Sequence, residues 1–183
     1  MIEYYKGIFT TLSSCASRQL EEVTFRRATI SVPELMATAG KYFRKVYKGN
    51  KAHIDFKIQL LEGRITGDWN QLRFLLENLI DEACSVTLDG AVCLSAREDG
   101  EFIRFLFTDM RREKTREELN QLFYPDLSRM TAGEKGELYG TEYLVCKQII
   151  RDHDEFAGRR GCRINAEPGK EGGFTIYFTL PKK

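Results

Sequence analysis

Residues 67–83 read GDWNQLRFLLENLIDEA, and this stretch decides the fold. Its apolar residues recur every three to four positions, which predicts an amphipathic helix with one broad buried face. They are Leu72, Leu75, Leu76, Leu79, Ile80 and Ala83. Asp68 stands directly before the first helical residue, where a carboxylate accepts a hydrogen bond from a backbone N–H of the first turn. The stretch therefore predicts a capped helix, over about residues 69–85, that covers a core.

Outward from this helix, the chain alternates between helical and strand-like patterns. The periodicity predicts helices at about 34–46, 115–122 and 141–153, and strands at about 29–32, 52–60, 91–97, 102–108, 162–167 and 174–180. Asp99-Gly100 separates two apolar runs, which favours a hairpin between them. The fold class that follows is α+β, a two-layer sandwich in which a mixed, mostly antiparallel sheet carries its helices on one face.

The composition is that of an ordinary globular protein. With 183 residues, of which 42% are hydrophobic, the chain can bury a sizeable core. Its 28 basic and 27 acidic residues leave a net charge of +1, which argues against nucleic-acid binding because neutralising phosphates requires a basic excess. No apolar run approaches the roughly 18 residues of a membrane span. Five cysteines without a CxxC pair are typical of a reducing compartment, so we expect a cytoplasmic location, alone or as part of a membrane-anchored parent.

Residues 1–26 are interpreted as a unit of their own, followed by a domain at residues 27–183. Apolar residues recur at helical spacing up to about residue 24, including Tyr5, Phe9 and Leu12. Such a stripe needs a partner surface, which is either the body of this chain or the same helix of a second chain. A homodimer through residues 1–26 is therefore one expectation.

Three further motifs join residues 67–83 in a fixed order. Leu106-Phe107-Thr108-Asp109 is a strand that ends in an aspartate, Leu122-Phe123-Tyr124-Pro125 follows a short helix, and Gly140 opens a longer one. In order and spacing, the chain from about Arg27 to Pro181 resembles the ATP-binding domain of sensor histidine kinases. That domain has the Bergerat fold, shared with DNA gyrase and Hsp90-type ATPases (the GHKL group).

The resemblance implies ligands and partners for this chain. The implied ligands are ATP and Mg²⁺, with Asp109 binding the adenine base and with Asn78 and Gly140 beside the nucleotide. Residues 1–26 then correspond to the second helix of a dimerisation hairpin, whose first helix carries the phosphoacceptor histidine. Since residues 1–26 contain no histidine, the chain is not expected to phosphorylate itself. The implied partners are upstream domains of the same signalling protein, or other proteins.

The phosphate side departs from the family pattern at the end of the first helix. The family's magnesium-binding asparagine and its phosphate-facing lysine correspond to Glu82 and Ser85. Glutamate is a good magnesium ligand, which makes Glu82 the candidate metal residue. It also adds negative charge beside a triphosphate, and the cation at position 85 is lost.

Two glycine motifs depart as well. The family's Asp-x-Gly-x-Gly reads Asp109-Met110-Arg111-Arg112-Glu113, so Arg111 and Glu113 either occupy the position of the base or pair with Asp109. After Gly140, Glu142 places a carboxylate at a helix N-terminus. There it complements the helix dipole and takes the electrostatic role of a phosphate.

Three functions remain open from the sequence. The leading hypothesis is a degenerate histidine-kinase-like domain, a pseudo-kinase that binds ATP weakly or not at all and acts as a binding and regulatory module. The alternative is an active ATP-binding domain of a histidine protein kinase, with its phosphoacceptor helix elsewhere. A third hypothesis gives the pocket to an acidic molecule received by Arg111, Arg112 and Lys114. No residue is assigned a catalytic role.

Overall fold

The computed structural model describes residues 25–124 and 141–183, with only the backbone at positions 141 and 142. These two ranges contain seven strands and four helices. In chain order they are β1 (Ala28–Ser31), α1 (Val32–Tyr47), β2 (Ile54–Gln59), β3 (Arg64–Gly67), α2 (Trp69–Cys84), β4 (Gly90–Asp99), β5 (Phe102–Asp109), α3 (Arg116–Gln121), α4 (Thr141–Phe156), β6 (Ile164–Pro168) and β7 (Phe174–Pro181). Every predicted helix and strand in these ranges is present. Strand β3 was not predicted.

The strands form two sheets. The larger has the order β2-β4-β5-β7-β6, in which β2 and β4 run parallel and every other pair is antiparallel. The smaller is the antiparallel pair of β1 and β3, with Ala28 opposite Gly67. The expectation of an α+β fold with a mixed, mostly antiparallel sheet is confirmed.

Alternation along the central strands builds the core. On β5, Ile103, Phe105 and Phe107 are buried beneath the helices. The Phe105 ring stacks on Phe178 of β7 with centroids 5.0 Å apart. Each such side chain contributes about 1.5–3 kcal/mol when fully buried. The same alternation makes Asp109 the next inward-facing residue, so the strand carries a carboxylate into the buried layer at its end.

The start of α2 is anchored by the predicted cap. Asp68 Oδ1 accepts a hydrogen bond from Gln71 N at 3.1 Å, and Oδ2 accepts one from Arg26 N at 2.8 Å. Asp68 N donates to His153 Nε2 at 3.0 Å, while His153 Nδ1 donates to Ile149 O at 2.7 Å. His153 is fully buried and neutral in this arrangement, so its contacts here are structural. The cap thereby ties the segment before β1 to α2 and α4.

Several expectations fall on residues that the structure does not describe. The helix predicted before residue 25, the homodimer through residues 1–26, and the position of Gly140 stay predictions. The side chain of Glu142 also lies outside the described part. No helix in residues 25–124 or 141–183 combines the length and the apolar character needed to cross a bilayer.

Candidate functional site

Asp109 lies at the end of β5 beneath the last turn of α2, and its carboxylate is saturated by protein donors. It is 1% exposed. Oδ1 accepts from Arg111 N at 3.0 Å and from Arg111 Nε at 2.9 Å. Oδ2 accepts from Arg111 Nη2 at 2.8 Å and from Arg112 Nε at 2.9 Å. Since a carboxylate has about four lone-pair sites, no acceptor capacity is left for a base.

The side chain of Arg111 is fully buried. Of the two outcomes expected from the sequence, it is the ion pair with Asp109 that the structure shows. Besides Asp109, its guanidinium donates to three carbonyl oxygens, that of Ala83 in the last turn of α2 (2.7 Å) and those of Leu88 (3.0 Å) and Val86 (3.4 Å) after it. All five N–H donors of the guanidinium are therefore used.

Gly90 makes room for this arginine. Its φ is +133°, and a Cβ there would lie 2.9 Å from Arg111 Cγ. A side chain at position 90 would strain the backbone and push the guanidinium out of its place. The start of β4 is thus shaped around Arg111.

Arg112 joins Glu82 to Asp109. Its Nη1 and Nη2 donate to the two carboxylate oxygens of Glu82, each at 2.8 Å, and its guanidinium lies 5.2 Å from the ring centre of Phe174. The Arg112 and Glu82 side chains are only 12% and 11% exposed. Both oxygens of the candidate magnesium ligand are therefore held by a bidentate ion pair.

The pKa values at the site follow from this pairing. Burial alone raises the pKa of Asp109, but the hydrogen bonds from Arg111 and the charge of Arg112 outweigh it, so the pKa lies below its usual value. Burial alone lowers the pKa of Arg112, but the hydrogen bond and charge of Glu82 and the charge of Asp109 raise it overall. The Asp109 carboxylate is thus held in its charged form between two guanidinium groups.

Glu113 was expected near the base or on Asp109, and this expectation is wrong. Its Oε1 accepts a hydrogen bond from Gly173 N at 2.9 Å, in the turn between β6 and β7. Gly173 has φ +68°, and a Cβ there would lie 2.0 Å from the Asp109 carbonyl oxygen. Glu113 therefore holds this turn closely against the end of β5 and does not enter the pocket.

The remaining candidates make local contacts. Asn78, one turn before Glu82, donates from Nδ2 to Phe74 O at 2.7 Å within its own helix. Ser85 ends the helix and donates from Oγ to Glu82 O at 2.6 Å. The Lys114 amine lies 5.2 Å from the ring centre of Phe174. None of these contacts places a further cation on Glu82.

Tyr143, near the start of α4, adds a buried hydroxyl beside this cluster. It is 2% exposed, and its oxygen makes no hydrogen bond of ordinary geometry with the described part of the chain. Burial first, and then the nearby Glu82 carboxylate, raise its pKa well above the usual value. The hydroxyl is therefore protonated at physiological pH.

Mg²⁺ and ATP do not fit these side chains as they stand. Both oxygens of Glu82 are paired, both oxygens of Asp109 are saturated, and Arg111 occupies the buried position beside Asp109. Within residues 25–124 and 141–183, no three His, Cys, Asp or Glu side chains are grouped to hold a metal ion. The acidic-ligand hypothesis loses its basis as well, because Arg111 and Arg112 are already engaged.

A comparison with known protein families shows which family the chain belongs to. The sequence model of the family described as histidine kinase-, DNA gyrase B- and HSP90-like ATPases matches residues 67–183, more than half of the chain. The chain belongs to this family. Its match begins at the glycine that opens residues 67–83.

A longer relative is a sensory kinase. The adaptive-response sensory kinase SasA of Thermosynechococcus vestitus is 26% identical over 176 residues, which are 95% of this chain and 44% of the relative. The chain thus spans less than half the length of that kinase.

Solved structures show the same fold. The catalytic domain of histidine kinase ThkA has a TM-score of 0.66 at 18% identity, covering 86% of this chain and 96% of that one. The Acinetobacter baumannii histidine kinase AdeS has a TM-score of 0.69 at 13% identity, covering 100% of this chain and 80% of that one. At such identities the likeness establishes the fold alone.

Proposed function

We propose that this chain is a degenerate member of its family, a pseudo-kinase domain that acts in signalling by binding other protein segments and not by transferring phosphate. The observation that carries the proposal is the buried guanidinium of Arg111 on Asp109. This guanidinium donates N–H groups to the aspartate that is expected to bind adenine. It therefore replaces the N–H donor that the exocyclic amine of adenine would supply.

The energetic argument concerns the pairs that a nucleotide must break. An adenine on Asp109 requires Arg111 to leave a site where its side chain is fully buried. Removing one partner of a buried ion pair costs about 3–5 kcal/mol when the other charge is left without a donor. The adenine amine supplies Asp109 with one N–H in place of the two that the Arg111 side chain donates, so part of this cost remains, and each 1.4 kcal/mol of it lowers the nucleotide affinity tenfold. Releasing Glu82 from Arg112 for magnesium adds a further cost.

The partners we propose are neighbouring domains of a longer signalling protein, with residues 1–26 as a dimerisation helix. Support comes from the length of the SasA relative, of which this chain matches 44%. The full-length kinase ShkA, in complex with AMPPNP, likewise exceeds the matched region, which covers 32% of its chain. The odd number of cysteines, without a CxxC pair, supports a cytoplasmic setting.

The second candidate function is an active ATP-binding domain of a histidine kinase. It is favoured by the family match over residues 67–183 and by the aspartate at position 109. In that case Arg111 leaves its buried site when nucleotide binds, and Glu82 exchanges Arg112 for Mg²⁺.

Calorimetric titration with AMP-PNP, with and without Mg²⁺, separates the two functions. We expect no binding heat up to millimolar nucleotide. The matched variant Glu82→Asn/Arg111→Gly/Glu113→Gly restores three of the family residues that the chain lacks, and we expect it to bind more tightly than the wild-type chain. Micromolar, magnesium-dependent binding by the wild type that Asp109→Asn abolishes would establish the active domain and overturn the proposal.

A further inference from the structure

A second concave site lies away from the Asp109 cluster, where the two ends of the described chain meet. This cleft has a volume of about 360 Å³ and is formed by the start of β1, β3, the turn after α4 and the residues after β7. Its charged and hydroxyl-bearing lining residues are Arg27, Thr29, Thr66, Arg159, Lys182 and Lys183. Among the residues that the structure describes, no acidic side chain lines it. We refer to it as the basic cleft.

Close contacts fix the backbone positions that carry the cations of the basic cleft. Lys182 N donates to Glu101 O at 2.9 Å, and Lys183 N donates to Arg64 O at 3.0 Å. Gly158 has φ +93°, and a Cβ there would lie 2.8 Å from Arg27 Nη1. The absence of that Cβ lets the guanidinium lie against the turn after α4. The backbone of the fold thus determines where the basic residues of the cleft lie.

The ion pairs around the basic cleft leave its charge available. Arg159 pairs with Glu101 at 3.1 Å and Lys182 with Glu98 at 2.8 Å, but these side chains are 38–71% exposed. Exposed pairs of this kind contribute little and exchange readily for another anion. Arg27 and Lys183 form no ion pair with any residue of the described ranges. Because the whole chain carries a net charge of only +1, the cluster is a local excess.

We propose that the basic cleft binds an acidic segment of a partner protein, with several Asp or Glu carboxylates meeting its four cations. Arginine guanidinium groups bind carboxylates through paired, charge-assisted hydrogen bonds. None of the four cations is deeply buried, so a single small anion would keep most of its water and bind weakly. A segment with several carboxylates engages all the walls at once.

A protein ligand fits the basic cleft better than a nucleic acid. No aromatic side chain of residues 25–124 or 141–183 lines it, so this part of the chain offers no stacking platform for unpaired bases. Arg27 also belongs to the segment that leads into β1, so an acidic ligand would bridge that segment and the residues after β7. The basic cleft shares no residue with the Asp109 cluster, and the proposal holds whether or not nucleotide binds.

Fluorescence anisotropy of the full chain with a labelled hexaglutamate peptide tests this proposal. We expect binding that weakens with salt, and no binding of a hexaglutamine peptide. Arg27→Gln/Arg159→Gln removes two charges from the basic cleft and should weaken binding at least tenfold. The matched control Arg73→Gln/Arg116→Gln removes two exposed charges elsewhere and should change the affinity less than twofold. Unchanged melting temperatures would establish that both variants are folded.

Three results would overturn the proposal. Equal weakening by both double variants would mean non-specific attraction to the whole surface. No binding of hexaglutamate at low salt would mean that the cations do not form a site. Tighter binding of single-stranded DNA of the same charge would assign the cleft to nucleic acid.

Discussion

Replacing Arg111 by alanine removes the guanidinium that donates all five of its N–H groups to Asp109 and to carbonyls in the last turn of α2 and just after it. Breaking a buried ion pair by deleting one partner costs about 3–5 kcal/mol. Asp109 keeps two donors, Arg111 N and Arg112 Nε, so we expect the lower end, about 3 kcal/mol. For a chain of this length, that loss lowers the melting temperature by about 6–12 °C.

Urea denaturation followed by circular dichroism measures this loss. We expect a lower midpoint with an unchanged slope, because the variant exposes nearly the same surface on unfolding as the wild-type chain. The matched control is Arg73→Ala, which removes an exposed arginine paired with Glu77 at 3.6 Å on the same helix. It should cost less than about 0.5 kcal/mol.

A stability change below about 1 kcal/mol for Arg111→Ala would refute this reasoning. It would mean that the guanidinium lies in solvent and that the carboxylate of Asp109 is satisfied without it. A double-mutant cycle with Asp109→Asn sharpens the result, since a true pair gives a coupling energy and two independent side chains give none.

Two further predictions follow from the same structure. Gly90→Ala should destabilise the fold by about 1–3 kcal/mol in urea denaturation, because the new Cβ strains a backbone at φ +133° and collides with the Arg111 side chain. Wild-type stability in this variant would contradict the close contact between Gly90 and Arg111. Burial lowers the pKa of His153, so the unfolded chain binds a proton more readily than the folded one. Stability should therefore fall as the pH drops below about 6.5, and His153→Asn, although less stable at pH 7, should lack this component of the pH dependence.

The parts of the fold that depend on local periodicity of apolar residues could be predicted from the sequence. The α2 helix and its Asp68 cap follow from residues 67–83, and the inward positions of β5 follow from alternation. Strand β3 was missed because it has only four residues, of which Ile65 alone is a large apolar side chain, and its partner β1 lies more than thirty residues away.

The site was predictable only in part, for a related reason. The residue types at 82, 109 and 111 indicated a departure from the family, and the ion pair of Arg111 with Asp109 was one of two expected outcomes. The pairing of Arg112 with Glu82 depends on how α2 lies over the end of β5, across 30 residues of sequence. The contact of Glu113 with Gly173 spans 60 residues, and no local pattern could reveal it.

A crystal structure of the chain grown with millimolar AMP-PNP and Mg²⁺ tests most directly whether Arg111 closes the nucleotide site. We predict that the guanidinium of Arg111 lies on Asp109, that Arg112 remains on Glu82, and that no nucleotide occupies the site. An adenine amine on Asp109, with Arg111 turned out to solvent and a magnesium ion on Glu82, would contradict the pseudo-kinase proposal.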